Sequence, residues 1–92
     1  MNYSFDSYTK SVDHSSNQWA ASDRGWFYVE GKVHGNYLEY PAIKGYRDRC
    51  IHAVVFENDG VSHSQYRTGY FSTVDQAKAW MVEEITGQLT LV

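Results

Sequence analysis

The sequence predicts an α+β fold: a four-stranded, mostly antiparallel sheet with a C-terminal helix packed on one face and a short N-terminal helical segment. Three observations carry this expectation. Residues Ser64–Phe71 alternate like a strand and run straight into a capped, amphipathic helix. Two further stretches, Trp26–Val33 and Cys50–Phe56, have strand composition and alternation. Compact turn signals, His34-Gly35-Asn36 and Asn58-Asp59-Gly60, join neighbouring strands closely enough for antiparallel pairing.

Residues 1–23 are polar and rich in Ser. Phe5, Tyr8, Val12 and Trp19 fall at helical offsets, which predicts an irregular start and a short helix around 6–20. Ser, Asp and Asn in the same stretch compete for the backbone and oppose it. Asp23-Arg24-Gly25 reads as a turn. In Trp26–Val33, Phe27, Val29 and Val33 share one face, and Trp26, Tyr28, Glu30 and Lys32 share the other. Gly31 within this strand suggests a bulge or a close backbone approach. Tyr37–Tyr40 forms the return strand, and Pro41, which has no N–H, ends it or places it at an edge.

Cys50–Phe56 is the most apolar strand, with Ile51, Ala53 and Val55 on one face and Cys50, His52, Val54 and Phe56 on the other. Apolar residues on both faces predict a central strand. After the Asn58-Asp59-Gly60 turn, Tyr66, Thr68 and Tyr70 alternate with Gln65, Arg67 and Phe71. Ser72 is the expected N-cap, with Asp75 as its capping-box partner. Val74, Ala77, Met81 and Ile85 form the buried stripe, and Gly87 is the expected stop. Leu89–Val92 is a β-prone tail. The chain thus divides into an N-terminal segment (1–23), a meander (24–71), the helix (72–87) and the tail (88–92), all within one domain.

Composition narrows the function. The net charge of −3 argues against a free-standing binder of duplex DNA, which needs a basic excess. The single Cys cannot form an internal disulfide, so a cytoplasmic setting is expected. No apolar run approaches a membrane span and no signal-peptide pattern opens the chain, which reads as a whole small gene product. Eight Tyr, four Phe and three Trp are a large aromatic share for 92 residues, suited to filling a thin core or to presenting an interface.

No pattern declares a catalyst. Serines occur without a nucleophile elbow, Cys50 lies mid-strand, and Glu83 and Glu84 are adjacent on a helix and so diverge. Phosphate-cradling Gly-rich loops are absent. Cys50, His52 and His63 lack the paired short spacings of a structural zinc site, so neither a metal nor any other cofactor is expected. The chief polar feature is the loop Ala42–Arg49, in which Lys44, Arg47 and Arg49 surround Tyr46, with Asp48 among them. These cations suit phosphates or carboxylates of a partner, and Tyr46 suits a base or a pocket. A solvated loop whose charges partly cancel is the alternative. Arg24 and Lys32 extend the patch if the first hairpin lies alongside, and Trp26 heads an outward strip that a partner, or the segment bearing Trp19, could cover.

Two resemblances follow from these residues. The strand leading into G-Y-F-S-T-V-D-Q-A-K-A-W, residues 69–80, resembles the last strand and helix start of AP2-like and integrase-arm DNA-binding domains. That resemblance implies a sheet that reads DNA, here through Trp26, Tyr28, Lys32, Tyr66, Arg67 and Tyr70. A small, acidic, aromatic-rich chain with a sheet, one or two helices and no catalytic motif is also similar to phage-encoded anti-CRISPR proteins, in particular inhibitors of type I-F Cascade complexes. This second resemblance implies a non-enzymatic inhibitor in the host bacterial cytoplasm that occludes target DNA from the crRNA-guided complex. Its own carboxylates would meet the Lys and Arg of the DNA channel. Lys44, Arg47 and Arg49 would meet guide-RNA phosphates or acidic protein residues, and Tyr46, Tyr37 or Trp26 would serve as anchors. Free duplex DNA and membranes are not expected partners.

Overall fold

Two strands, not a helix, occupy the N-terminal part of the chain. The computed structural model describes residues 2–14 and 18–89, with side chains at 2–9 and 23–87. The order is β1 (Tyr3–His14), β2 (Gln18–Val29), β3 (Lys32–Tyr40), β4 (Cys50–Asn58), β5 (His63–Phe71) and α1 (Val74–Leu89). The five strands form one sheet in sequence order, each pair antiparallel. The expected four-stranded sheet therefore gains a strand, and the expected helix around 6–20 is replaced by the β1–β2 hairpin. Phe5 sits opposite Phe27 with the rings stacked at 4.8 Å, a contact across strands that a helix could not make. The Asp23-Arg24-Gly25 turn is likewise absent, since all three residues lie inside β2. The tail beyond Leu89, residues 15–17 and the Trp19 side chain lie outside the described residues.

The first internal turn also moves. Val29 pairs with Lys32, leaving Glu30 and Gly31 as a two-residue turn with φ of 51° and 79°. Positive φ at both positions matches the twist of a tight hairpin. His34-Gly35-Asn36, expected to turn, runs inside β3. The ladder steps from Phe27 opposite Gly35 to Tyr28 opposite Val33, so His34 is the extra residue of a bulge. It is buried, and its Nδ1–H donates to the Phe56 carbonyl at 3.1 Å.

One face of the sheet is covered by α1. Ala77, Met81 and Ile85 sink into a core of Phe27, Val29, Tyr37, Ile51, Ala53 and Val55, with Val74 and Trp80 at its border. The stripe read from the sequence is the buried stripe. The cap lies one residue later than expected. Thr73 Oγ1 accepts from Gln76 N at 3.1 Å, and Gln76 Oε1 accepts from Ser72 N at 3.2 Å, so Thr73 and Gln76 replace Ser72 and Asp75. Gly87 is helical and does not stop α1, which runs to Leu89.

The β4–β5 connection forms where the sequence places it. Asn58 Oδ1 accepts from Gly60 N at 2.9 Å, and Asp59 Oδ1 accepts from Val61 N and Ser62 N at 2.8 Å each. The backbone donors of Ser62 and Val61 hold the exposed Asp59 carboxyl below its ordinary value. A carboxyl lowered in the folded state adds stability that is fully present above its unfolded pKa and is lost as pH falls through the folded one. The denaturation midpoint of Asp59→Asn should thus depend less on pH than that of the parent as pH falls below the ordinary carboxylate range. Equal slopes in urea titrations across that range would assign the acid limb to other groups.

β1 and β2 outrun the rest of the sheet. β2 pairs with β3 only from Arg24 onward, whereas it pairs with β1 from Gln18. The result is a two-stranded ribbon projecting from a five-stranded body, with overall extents of 50 × 21 × 20 Å.

Candidate functional site

The sheet face opposite α1 has no covering layer among the described residues, because β1 lies beside β2 rather than over it. Alternation with the buried residues assigns that face. One row crosses all five strands: Tyr8, Arg24, Leu38, His52 and Tyr70 pair successively from β1 to β5. Asp6, Trp26, Asn36, Val54 and Thr68 form the next row. At about 4.8 Å per strand, each row spans roughly 19 Å.

Aromatic rings dominate this face. Tyr40 and His52 stack at 5.4 Å, and His52 continues to Tyr70 at 4.8 Å. The Arg47 guanidinium lies 5.1 Å over Tyr40 and closes that end of the ladder. Tyr70, on the edge strand and 66% exposed, leaves the other end open. A second group stands beside it, with Phe56 between His63 at 4.7 Å and Tyr66 at 5.3 Å. A bulge sets Tyr66: Gln65 adopts φ 55°, and Gln65 and Tyr66 together oppose Phe56. Towards β1, Tyr8, Arg24, Trp26, Asn36 and Leu38 line a cleft of about 120 Å³. The Arg24 Nε is buried there without a hydrogen-bond partner among the described residues.

The Ala42–Arg49 loop borders this face at the Tyr40 end. It is a tight turn in which Ile43 N donates to Arg47 O at 2.9 Å and Arg47 N donates to Ile43 O at 3.0 Å, with Gly45 at φ 82°. Tyr46, at its tip, is 87% exposed, and Lys44 is exposed beside it. Arg47 turns inward to Tyr40, and its Nε donates to Pro41 O at 3.3 Å.

Arg49 has a different place from its neighbours. It pairs with the buried Glu39, and its Nη1 reaches Ser72 O at 3.4 Å. Glu39 also accepts from Asp23 N at 2.9 Å. Arg49 thus ties the loop to β2, β3 and the start of α1.

The remaining expected site residues separate. Trp26 and Arg24 stand on the open face. Lys32 is exposed at the start of β3, the far end of the strand from the loop, so it does not extend the loop's patch. Tyr37 is buried on the helix side, its hydroxyl donating to Ser7 Oγ at 2.7 Å, and it presents no anchor. Of the sheet positions implied by the DNA-reading resemblance, Trp26, Tyr28, Tyr66 and Tyr70 share the open face. Arg67 instead turns to the helix, where its Nε meets Glu84 Oε2 at 3.1 Å.

Sequence alone marks neither Tyr8 nor Tyr40 as a site residue, while His52 enters only as a metal-ligand candidate and Tyr70 only through the DNA-reading resemblance. Alternation puts His52 with Phe56, and Tyr66 with Tyr70, on common faces. Only the registers bring those faces into one row.

Among the described residues, no group of three or more His, Cys, Asp or Glu side chains gathers to hold a metal. None of the described helices is long and apolar enough to cross a membrane. Compared with protein-family models, curated proteins and solved structures, the chain matches none.

Proposed function

We propose that the protein is a non-enzymatic inhibitor of the anti-CRISPR kind. It docks on a crRNA-guided type I surveillance complex and blocks target DNA from hybridising. The observation that carries this reading is the uncovered aromatic face. Tyr8 (45% exposed), Trp26 (39%), Tyr66 (60%) and Tyr70 (66%) stand on a rigid sheet with no element of the described chain over them. Exposed aromatic patches of this kind mark interaction surfaces, and Tyr and Trp are preferred anchors there. The 42–49 loop at the rim adds Lys44 and Tyr46. Inhibition would be by occlusion, with no chemical step. Acidic side chains on the helix side, Asp75, Glu83 and Glu84, suit the cationic walls of a DNA channel.

The test is retention of the protein by purified type I complexes, followed by competition with target DNA. Replacing Tyr46 by Ala together with Arg47→Glu should weaken retention by about tenfold to 100-fold, the scale of losing an interfacial anchor and reversing a rim charge. Cooperative thermal unfolding should persist, because the loop's backbone bonds and Arg49 are untouched. If no surveillance complex retains the parent protein, the reading is abandoned.

A further inference from the structure

We infer that the open sheet face binds single-stranded nucleic acid, with an unpaired base stacking on Tyr70 and a backbone phosphate seated at Arg24. This is a property of the isolated chain and does not rest on the inhibitor reading. The first ground is ring geometry. The Arg47–Tyr40–His52–Tyr70 ladder runs ring against ring, stacked at Tyr40–His52 and tilted by 33° at His52–Tyr70, and is open at its Tyr70 end. A flat base extends such a ladder, and every base has a stacking face, so the site is tolerant of sequence. The bases of a duplex are already stacked inside the helix, which favours a single strand.

The second ground is charge. The molecule is acidic overall, yet the open face is not. Among the described side chains it bears Arg24, with Arg47 at its rim, against the single carboxylate Asp6. The other acidic residues with described side chains lie on turns, in the 42–49 loop, or on the helix side. Arg24 is half-buried and lines the Tyr8–Trp26 cleft, its Nε has no partner among the described residues, and its guanidinium is a group suited to an anion. Arg24 and Tyr70 lie in one row three strands apart, about 14 Å. That separation matches the two or three bases that a four-stranded RNA-binding sheet holds.

The experiment is fluorescence anisotropy of labelled single-stranded RNA and DNA of about ten nucleotides, with the matching duplexes as competitors. The single strands should bind saturably and at least about tenfold tighter than the duplexes. Log affinity should fall against log salt with a slope of about −0.7, from the Arg24–phosphate contact. Tyr70→Ala should weaken binding roughly five- to 100-fold, while Tyr70→Phe retains it. Arg24→Gln should flatten the salt slope by about 0.7. Should Arg24→Gln fail to fold, the two Tyr70 variants decide alone, since that ring is exposed on an edge strand.

No binding at low salt, duplex binding as tight as single-strand binding, or parental affinity in Tyr70→Ala would each overturn the inference. Retention by a surveillance complex without oligonucleotide binding would remove this inference and leave the inhibitor reading standing. Oligonucleotide binding without such retention would do the reverse.

Discussion

Phe27→Ala should destabilise the fold by about 3–5 kcal/mol. The Phe27 side chain is fully buried. Its ring stacks on Phe5 at 4.8 Å and meets Tyr3 edge-on at 6.3 Å, so it holds β1 against β2. Removing it opens a cavity on the helix side and takes away the one ring stacked on Phe5 among the described residues, and the fixed sheet spacing limits how far neighbours can close in. A domain of this length has roughly 5–14 kcal/mol of total stability, so one substitution removes about a fifth of it or more. At about 4–8 °C per kcal/mol, the melting temperature should fall by at least 12 °C. A calorimetric shift below about 5 °C would mean that Phe27 is not the centre of the core. Phe27→Leu, which keeps most of the volume, should recover more than half of the loss.

Gly35→Ala should be comparably damaging for another reason. A Cβ at position 35 would stand 2.2 Å from the Val54 carbonyl oxygen and 3.1 Å from the Met81 methyl. Met81 can move, but Val54 O belongs to the backbone of β4, the strand paired with β3. The substitution can be accommodated only by parting those strands, so a loss of about 3 kcal/mol or more is expected. Gly87→Ala is the control. It lies in α1 with nothing within 4 Å of the added methyl, and should gain roughly 0.5–1 kcal/mol from helix propensity. Urea midpoints displaced downward for position 35 and upward for position 87 are the expected pair. A neutral Gly35→Ala would show that the β3–β4 approach is looser than described.

The same glycine explains where sequence reading succeeded and failed. β4, β5 and α1 were legible because alternation, a turn with its own side-chain acceptors, and a helical stripe all agree there. The first hairpin was not. His34-Gly35-Asn36 has the composition of a turn, but Gly35 is required by a close approach between strands. The real turn, Glu30-Gly31, lacks the Asn-Gly or Asp-Gly signature. β1 resembles a helix in sequence because Phe5, Tyr8 and Val12 satisfy three- and four-residue spacing. Its polar composition follows from the ribbon, which beyond Arg24 has no third strand beside it. For the site, the exposed Tyr46 and the cationic loop could be read locally. The row from Tyr8 to Tyr70 could not, because its register depends on the bulges at His34 and Gln65. Arg49 looked equivalent to Arg47, and only the fold distinguishes a cation locked on Glu39 from one at the rim of the open face.

The projecting β1–β2 ribbon gives the molecule leverage. The radius of gyration, 14.6 Å, exceeds the roughly 12 Å of a compact chain of this length. His14 and Gln18, paired towards the far end of the ribbon, lie well away from the aromatic ladder along a 50 Å body. A partner held by the sheet face, as proposed, would meet the ribbon at high local concentration. A second, individually weak contact made there becomes an intramolecular event. In this way a very small protein can span two neighbouring features of a large assembly and combine two modest affinities into one firm attachment.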